Sequence, residues 1–287
     1  MELDDVKVRT VSDLNDDTAP TGAQFDNSKL SLGDEPAVGF AGSGGRPHSA
    51  SQRSQASTGS RSSLKNADKQ LSNYVSKGFF CVKKGYFETA VDACKNQIKN
   101  DLDGEIKAAW LLTEIDHWDN EIEKIVILTD TSVIIAKYDF VAEKILRHKR
   151  ILLHTLHSLY IGELIYPEKS VMPERKHGGI RLAWGDPNNL SFGQKWNPWS
   201  STIPYVTLTH HPLSYSSEFQ ETVTYSANDF FESLESAVKA AYQRKNPGQQ
   251  VMVIEGNILV ETYASLGSMV FNQSFLGYSR ERGGVSF

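Results

Sequence analysis

The segment that decides the fold is Trp110-Leu-Leu-Thr-Glu-Ile-Asp-His-Trp-Asp-Asn-Glu121. It is followed by two apolar runs, Ile125 to Leu128 and Val133 to Ala136. Two strand-like segments that flank a short, acidic, turn-prone link are typical of a β-hairpin. The pattern therefore predicts a hairpin that continues into a third strand through Thr129-Asp130-Thr131.

Apolar side chains alternate with a period of two at several further places, which is the spacing of a β-strand. The alternation predicts five strands, over Ile106 to Ile115, Lys144 to Leu152, Ser158 to Ile165, Ile180 to Trp184 and Tyr205 to Thr209. The first of these is the first strand of the hairpin, and the two apolar runs Ile125 to Leu128 and Val133 to Ala136 add the second and third strands. The sequence thus predicts seven antiparallel strands in succession.

Helical spacing of apolar side chains occurs on both sides of these strands. It predicts one helix over Tyr86 to Lys99 and another over about Phe230 to Tyr242. Seven strands followed by one amphipathic helix is the element order of the pleckstrin-homology-like fold. We therefore predict an α+β fold, with a seven-stranded bent antiparallel sheet or partly open barrel capped by the C-terminal helix. Val251 to Ile254 and Ile258 to Tyr263 predict an additional C-terminal hairpin.

The N-terminal part of the chain has a composition that disfavours folding. It begins with an acidic stretch and continues into Ser49 to Ser63, which is rich in Ser, Gly and Arg. Such a segment buries too little apolar surface to offset its ordering entropy. We predict that residues 1–76 are disordered, that residues 77–247 form the domain with its N-terminal helix, and that residues 248–287 pack on it as hairpin and tail.

Ser49 follows Arg46-Pro-His, a pattern that basophilic kinases recognise. Phosphorylation there would reverse the local charge. The alternative is an unregulated linker, because such short motifs arise by chance in chains rich in Ser and Arg.

Composition narrows the classes of function. A formal net charge of −5 gives no overall attraction to nucleic acid. The sequence has two cysteines, Cys81 and Cys94, and no apolar leader segment, which predicts a cytoplasmic protein with reduced thiols. No apolar run approaches the roughly 20 residues that span a bilayer. Membrane association is therefore predicted to be peripheral.

Six motifs in the same order resemble those of the TPRG family, named for tumour protein p-sixty-three regulated gene, including its "like" branch. They are Trp110-Leu-Leu-Thr-Glu-Ile-Asp-His-Trp118, Lys137-Tyr-Asp-Phe140, Trp196-Asn-Pro-Trp-Ser200, Ile203-Pro-Tyr205, Glu261-Thr-Tyr263 and Leu276-Gly-Tyr-Ser279. The resemblance runs from about Phe79 to Phe287. The core also resembles the accessory domain of a Sac-type inositol phosphatase.

The resemblance implies a pleckstrin-homology-like fold, a homo-oligomer and a cytoplasmic protein that associates peripherally with vesicle membranes, including synaptic vesicles. It also implies presynaptic or vesicle scaffold proteins as partners. From it we predict a regulator of exocytosis. The alternative is a phosphoinositide-binding module that acts in lipid turnover.

The kinship with a phosphatase raises the question of catalysis. A Sac-type phosphatase needs a cysteine nucleophile with an arginine six positions later to hold the phosphate. Cys81 has Phe87 at that spacing and Cys94 has Asn100. The histidines considered as metal ligands lack helical spacing, and strand-end histidines are favoured instead; they are His154, His157, His210 and His211. We predict no catalysis, no cofactor and no metal.

Charge patterning separates two regions of the predicted sheet. The first turn is acidic, with Asp116, Asp119, Glu121 and Glu123 against the single cation Lys124, which disfavours headgroup capture there. The most basic cluster of the folded region is Lys144, Arg147, His148, Lys149 and Arg150. It predicts a weak contact with anionic membranes. The alternative is a solvated strand that guards a sheet edge against aggregation.

Three tryptophans are candidates for a partner surface. Trp118 lies near the first turn, where we expect it to be available to a partner, whereas Trp110 is expected in the core. Trp196 and Trp199 flank a short loop before the seventh strand. Paired tryptophans can form a binding hot spot, and the alternative is that both rings pack under the loop.

Overall fold

The computed structural model describes residues 7–10, 79–168, 170, 172, 174–175, 177–187, 189–197, 200, 202–215, 219, 222–260 and 274–277. Its strands are β1 (Lys7–Thr10), β2 (Ile106–Ile115), β3 (Glu121–Thr129), β4 (Ser132–Asp139), β5 (Lys144–Leu152), β6 (Ser158–Gly162), β7 (Leu164–Ile165), β8 (Gly179–Ala183), β9 (Tyr205–Thr209), β10 (Met252–Glu255), β11 (Ile258–Leu259) and β12 (Ser274–Phe275). Its α-helices are α1 (Tyr86–Lys95), α2 (Asn100–Asp103), α3 (Phe192–Trp196) and α4 (Ala227–Lys245).

Most strands form one large sheet in the order β1-β10-β6-β8-β9-β2-β3-β4-β5, with β12 beside the start of β3. The pairing is mostly antiparallel, and β1 and β5 do not pair with each other. Among the described residues the sheet is therefore not closed into a barrel, and the pleckstrin-homology-like details of the predicted partly open barrel stay a prediction. The α+β class and the antiparallel core are confirmed.

The predicted hairpin of β2 and β3 lies within this sheet, between β9 and β4. β2 and β3 pair from Ile106 opposite Thr129 to Ile115 opposite Glu121. β3 continues into β4, where Leu128 lies opposite Val133. Both predicted connections are confirmed because the alternating apolar residues bury both faces of these strands.

Two apolar cores lie on opposite faces of the sheet. On the face that we call the helix face, Trp110 and Leu112 of β2 pack with Phe230 and Leu234 of α4. Trp110 is fully buried, as predicted, and its Nε1–H donates to Asp229 Oδ2 at 2.8 Å. On the other face, α1 packs against inward side chains of β2, β3 and β4. Burying each large apolar side chain contributes about 1.5–3 kcal/mol, so α4 owes its position to this stripe.

Helix α4 begins after Ser226, whose side chain caps it. The Ser226 hydroxyl accepts a hydrogen bond from the Asp229 amide at 3.3 Å. His210 Nδ1 accepts a second bond from the Ala227 amide at 3.1 Å. Two of the amides at the helix start are thus satisfied by side chains. None of the described helices is both long and apolar enough to cross a membrane.

The predicted C-terminal hairpin is wrong. Met252–Glu255 pairs in parallel with Ser158–Gly162, and Ile258–Leu259 pairs in parallel with Leu164–Ile165. The two segments run side by side with β6 and β7 instead of folding back on each other. Gly162 permits this, because a Cβ there would lie 1.9 Å from the Gly256 carbonyl oxygen.

The prediction that residues 1–76 are disordered is also wrong for one segment. Lys7–Thr10 forms β1 and pairs antiparallel with Met252–Glu255. The remainder of residues 1–76 lies outside the described residues. The short helix predicted over Tyr86 to Lys99 ends at Lys95 as α1, and the chain re-enters a helical turn at Asn100.

Candidate functional site

The acidic first turn is an internally bonded structure and not an open acidic surface. Asp116 Oδ1 accepts hydrogen bonds from the Trp118 amide at 2.9 Å and the Asn120 amide at 2.8 Å. Burial raises the pKa of Asp116, and the bonds from Asn120 and Trp118 oppose that rise. This carboxylate therefore shapes the turn.

Asp119 in the same turn is fully buried and has a backbone φ of 59°. Its carboxylate accepts from Arg175 Nε at 3.2 Å and from the Tyr166 hydroxyl at 3.0 Å. Arg175 Nη1 also donates to Glu121 Oε1 at 2.8 Å. Burial lowers the pKa of Arg175, but Asp119 and Glu121 raise it by more. One distant arginine thus neutralises two of the acids that the sequence places at this turn.

Glu123 organises a third group of contacts. Its Oε1 lies 2.9 Å from His211 Nε2, its Oε2 accepts from the Gly277 amide at 3.1 Å, and Cys81 Sγ lies 4.0 Å from Oε1. The ligand atoms of Cys81, Glu123 and His211 fall within 4.8 Å of one another. However, His211 Nδ1 accepts from the Leu213 amide at 3.2 Å, which leaves the proton on Nε2. A metal site would need a free lone pair on Nε2 of His211. The cluster therefore fits a hydrogen-bonded contact between His211 and Glu123 better than a metal site.

Both thiols are buried, and burial disfavours their thiolate forms. Burial raises the pKa of Cys81 far above its ordinary value, and the nearby Glu123 charge raises it further. Burial raises the pKa of Cys94 to about 12. Reactive cysteines instead have lowered pKa values that favour the thiolate.

The basic cluster predicted on β5 is divided between the two faces of the sheet. Residues directly opposite each other in a ladder share a face. Lys149 lies opposite Ile135, a member of the helix-face core, whereas Arg150 lies opposite Ile134, a member of the other core. His148 accompanies Arg150, because it lies opposite Ala136.

A β-bulge adds Lys144 and Arg147 to the helix face. Arg147 lies opposite Lys137 and Lys144 lies opposite Asp139, with Leu146 as the extra residue between the two registers. Lys137 and Asp139 follow Ile135 at a spacing of two, so they point to the same face. Without the bulge, Lys144 would be on the face opposite to Arg147 and Lys149.

Lys124 joins these cations from the neighbouring strand. It lies opposite Leu112 of the helix-face core, and its Nζ is 2.8 Å from Glu114 Oε2. Burial lowers the pKa of Lys137, and the positive charges of Arg147 and Lys124 lower it further. We call this group the basic face; its members are Lys124, Lys137, Lys144, Arg147 and Lys149.

Trp184 borders the basic face. The Lys149 ammonium lies 4.7 Å from the centre of its ring, in a cation–π contact, and the indole packs against the helix-face core. A cationic surface with an aromatic edge is thus present on three adjacent strands.

Arg150 does not belong to a membrane-facing surface, which corrects the prediction for this residue. Its Nε donates to Asp103 Oδ1 at 2.7 Å and its Nη2 donates to Asp103 Oδ2 at 2.9 Å. Asp103 is fully buried and also accepts from the Ser132 hydroxyl at 2.6 Å. The guanidinium therefore serves to hold α2 against the sheet.

The prediction that Trp118 is available to a partner is also corrected. Only 7% of Trp118 is exposed, because the turn folds its indole inward. Trp196 ends α3, but its side chain, Trp199 and Ser49 lie outside the described residues. The partner surface at Trp196 and Trp199 and the phosphorylation of Ser49 remain predictions.

Sequence reasoning missed Arg175, Lys137 and Trp184 as parts of these sites. Arg175 is separated from Asp119 by more than fifty residues, and no local pattern links them. Lys137 and Lys124 were detectable in principle, because both occupy helix-face positions of predicted strands. The bulge at Leu146 has no comparable sequence signal.

Comparison with known proteins first defines the class of domain. A family model described as "hSac2: Inositol phosphatase" matches residues 79–185. The solved structure titled "The hSac2 domain from human phosphoinositide phosphatase Sac2" aligns with a TM-score of 0.37 and 14% identity, covering 64% of this chain and 95% of that chain. The family-model match confirms the resemblance of the core to the accessory domain of a Sac-type phosphatase.

A closer relative then defines the family. The human "Tumor protein p63-regulated gene 1 protein" is 37% identical over 218 residues, which cover 75% of this chain and 78% of the human protein. The chain belongs to the tumor protein p63-regulated gene 1 family. The resemblance stated from six sequence motifs is confirmed.

Proposed function

We propose that this protein is a non-catalytic, cytoplasmic regulator that associates peripherally with vesicles and tunes regulated exocytosis. In this proposal the domain is pleckstrin-homology-like, and it works through presynaptic or vesicle scaffold proteins and through weak contact with anionic membranes. The observation that carries the proposal is the basic face, which collects five cations on three adjacent strands.

The tip of the β4–β5 hairpin supports a membrane contact. Val141 is 70% exposed in the turn and Leu146 is 48% exposed at the bulge, next to Lys144 and Arg147. Exposed apolar side chains beside lysine and arginine are typical of surfaces that lie on anionic bilayers.

The strength expected of this contact argues for additional partners. Each cation near an anionic surface contributes about 1 kcal/mol, so the three exposed cations Lys144, Arg147 and Lys149 contribute about 3 kcal/mol. A binding free energy of this size corresponds to a dissociation constant above about 1 mM. Stable recruitment therefore requires a scaffold protein or a second copy of the chain, since linked contacts multiply their affinities. We accordingly propose a homo-oligomer, which light scattering of the purified chain tests.

The absence of catalysis is part of the proposal. Cys81 and Cys94 both lack an arginine at the phosphatase spacing, and burial raises the pKa of each thiol. We expect no phosphate release from phosphoinositides. Turnover that disappears in Cys81→Ser or Cys94→Ser would refute this.

The function is tested by co-sedimentation of the purified chain with isolated secretory vesicles, before and after the vesicles are treated with protease. We expect binding to intact vesicles, reduced but measurable binding after protease treatment, and weaker binding of Arg147→Glu/Lys149→Glu in both cases. In permeabilised secretory cells, the wild-type chain should change calcium-triggered release more than this variant does. Binding to neither vesicle preparation would contradict the proposal.

A further inference from the structure

We propose that the basic face is a binding site for several phosphomonoesters clustered on one polyol ring. This chemistry is shared by the headgroups of phosphoinositides and by soluble inositol polyphosphates. The inference rests on the proposed membrane contact and deepens it by naming the class of ligand that the contact selects.

The layout of the cations matches a ligand with more than one phosphate. Lys137 and Arg147 lie directly opposite each other on β4 and β5. Lys124 on β3 is 7% exposed and paired with Glu114, so it adds positive charge beneath the surface without being open to a ligand. Adjacent strands are about 4.8 Å apart. Lys144 and Lys149 extend the group along β5 in both directions. A single phosphate can engage only part of such an array.

The array also concentrates positive charge in a way that a ligand would relieve. Like charges directly opposite each other on a sheet are unfavourable. Arg147 is directly opposite Lys137 in the ladder. Burial lowers the pKa of Lys137, and the charges of Arg147 and Lys124 lower it further. Clustered phosphates would reverse that repulsion, because each provides several charged acceptors.

Two carboxylates near the basic face, Glu114 and Asp139, both attract Lys137, but they offset only part of the positive charge of the face. Glu114 pairs with Lys124 at 2.8 Å. Asp139 Oδ1 accepts from the Val141 and Ala142 amides, each at 3.0 Å. Five cations against two carboxylates leave an excess of positive charge on this face.

Trp184 favours a ring-shaped ligand over an extended one. Its indole packs on the helix-face core, and Lys149 Nζ lies 4.7 Å from the centre of the indole ring. An indole beside clustered cations offers an apolar surface for the C–H groups of a polyol while the cations bind its phosphates. A phosphorylated peptide carries its phosphates on separate side chains and matches this compact site less well.

The first test uses soluble probes and the full chain. Isothermal titration should show inositol trisphosphate binding at least tenfold more tightly than inositol monophosphate or inorganic phosphate. Arg147→Gln/Lys149→Gln should weaken trisphosphate binding by about tenfold for each cation removed, since a charge-assisted hydrogen bond contributes about that factor. The matched control Lys84→Gln/Lys245→Gln removes the same charge from exposed positions elsewhere and should bind like the wild type. Urea unfolding of both variants checks that each is folded.

The second test separates the lipid source from the soluble source. Flotation is compared between vesicles containing phosphatidylinositol bisphosphate and phosphatidylserine vesicles of equal surface charge. Preference for the bisphosphate vesicles supports the lipid headgroup as ligand, and trisphosphate binding without that preference supports a soluble ligand. Equal flotation with both vesicles, together with equal affinity for trisphosphate and monophosphate, would overturn the inference while leaving the membrane contact intact. Absence of flotation with either vesicle would instead contradict the proposed membrane contact, and the soluble titration would still decide the ligand.

Discussion

The pair formed by Asp103 and Arg150 provides a sharp test of how the basic cluster is divided. Asp103 is fully buried and accepts two bonds from Arg150, one from the Ser132 hydroxyl and one from the Lys99 amide. Burial alone would raise the pKa of Asp103, but these bonds outweigh it and hold the pKa below 3.8. The carboxylate is therefore charged at neutral pH and depends on its partners.

Replacing Arg150 with alanine removes the main partner of that buried charge. Removing one member of a buried ion pair costs about 3–5 kcal/mol, because the other member remains desolvated without compensation. We therefore expect Arg150→Ala to lower the free energy of unfolding by about that amount near neutral pH. Because the folded pKa of Asp103 is lowered, its contribution is present above 3.8 and is lost as the pH falls through the folded value. The difference between wild type and variant should shrink in that acidic window.

Urea unfolding, followed by tryptophan fluorescence and by circular dichroism, measures this loss. The matched control is Asp92→Ala, which removes the exposed pair with Lys95 and should cost less than about 1 kcal/mol. The double variant Asp103→Asn/Arg150→Met should lose less than the sum of the two single changes, by about 1–3 kcal/mol. If Arg150→Ala lowers the free energy of unfolding no more than Asp92→Ala does, the structural role of Arg150 is refuted. Arg150 would then again be a candidate for the membrane-binding surface.

Three further predictions follow from single contacts. Gly162→Ala should destabilise the fold by about 1–3 kcal/mol in urea unfolding, because its Cβ would meet the Gly256 carbonyl, whereas Gly193→Ala, with nothing within 4 Å, should not. Burial raises the pKa of Asp229 above 3.8, so ionisation of this carboxyl group lowers the free energy of unfolding as the pH rises. The stability of Asp229→Asn relative to wild type should therefore increase as the pH rises from 3.8 through the raised folded pKa of Asp229, and a constant difference would contradict this. Arg147→Gln should raise stability by about 0.2–1 kcal/mol at low salt by relieving the repulsion with Lys137, and added salt should abolish the gain.

The central strands and the main helix were predictable from the sequence because their patterns are local. Apolar alternation along Ile106 to Ile115 buries both faces of one strand, and few other arrangements satisfy it. Ser226 before α4 is a local cap signal in the same way. These features depend on neighbours within a few positions.

The partners of β10 and β11 were not predictable from local pattern. Two short apolar runs around Glu255-Gly256-Asn257 are typical of a hairpin, yet each run finds a parallel partner about ninety residues earlier. The choice depends on the close approach of Gly162 to Gly256, a contact between distant segments. Strand β1 was not predictable because Val8 is its one apolar residue, and among the described residues the strand pairs with β10.

The candidate site was predictable in its residue types but not in its shape. The cluster from Lys144 to Arg150 is visible as a charge run, but the bulge at Leu146 decides which of its members share a face. The acidity of the first turn was likewise visible, whereas its neutralisation by Arg175 was not. Cross-strand registers and distant ion pairs are properties of the tertiary structure, and they determine which charges are available.

Vesicle flotation of basic-face variants tests the functional role of this surface most directly. Purified wild-type chain, Arg147→Glu/Lys149→Glu and the control Lys84→Glu/Lys245→Glu are each mixed with an excess of anionic vesicles at low salt, where screening of the weak contact is reduced. We predict that the wild type and the control float with the vesicles and that the basic-face variant remains in the dense fraction. Equal flotation of all three proteins, or no flotation of the wild type, would contradict the assignment of the basic face as the membrane-binding surface.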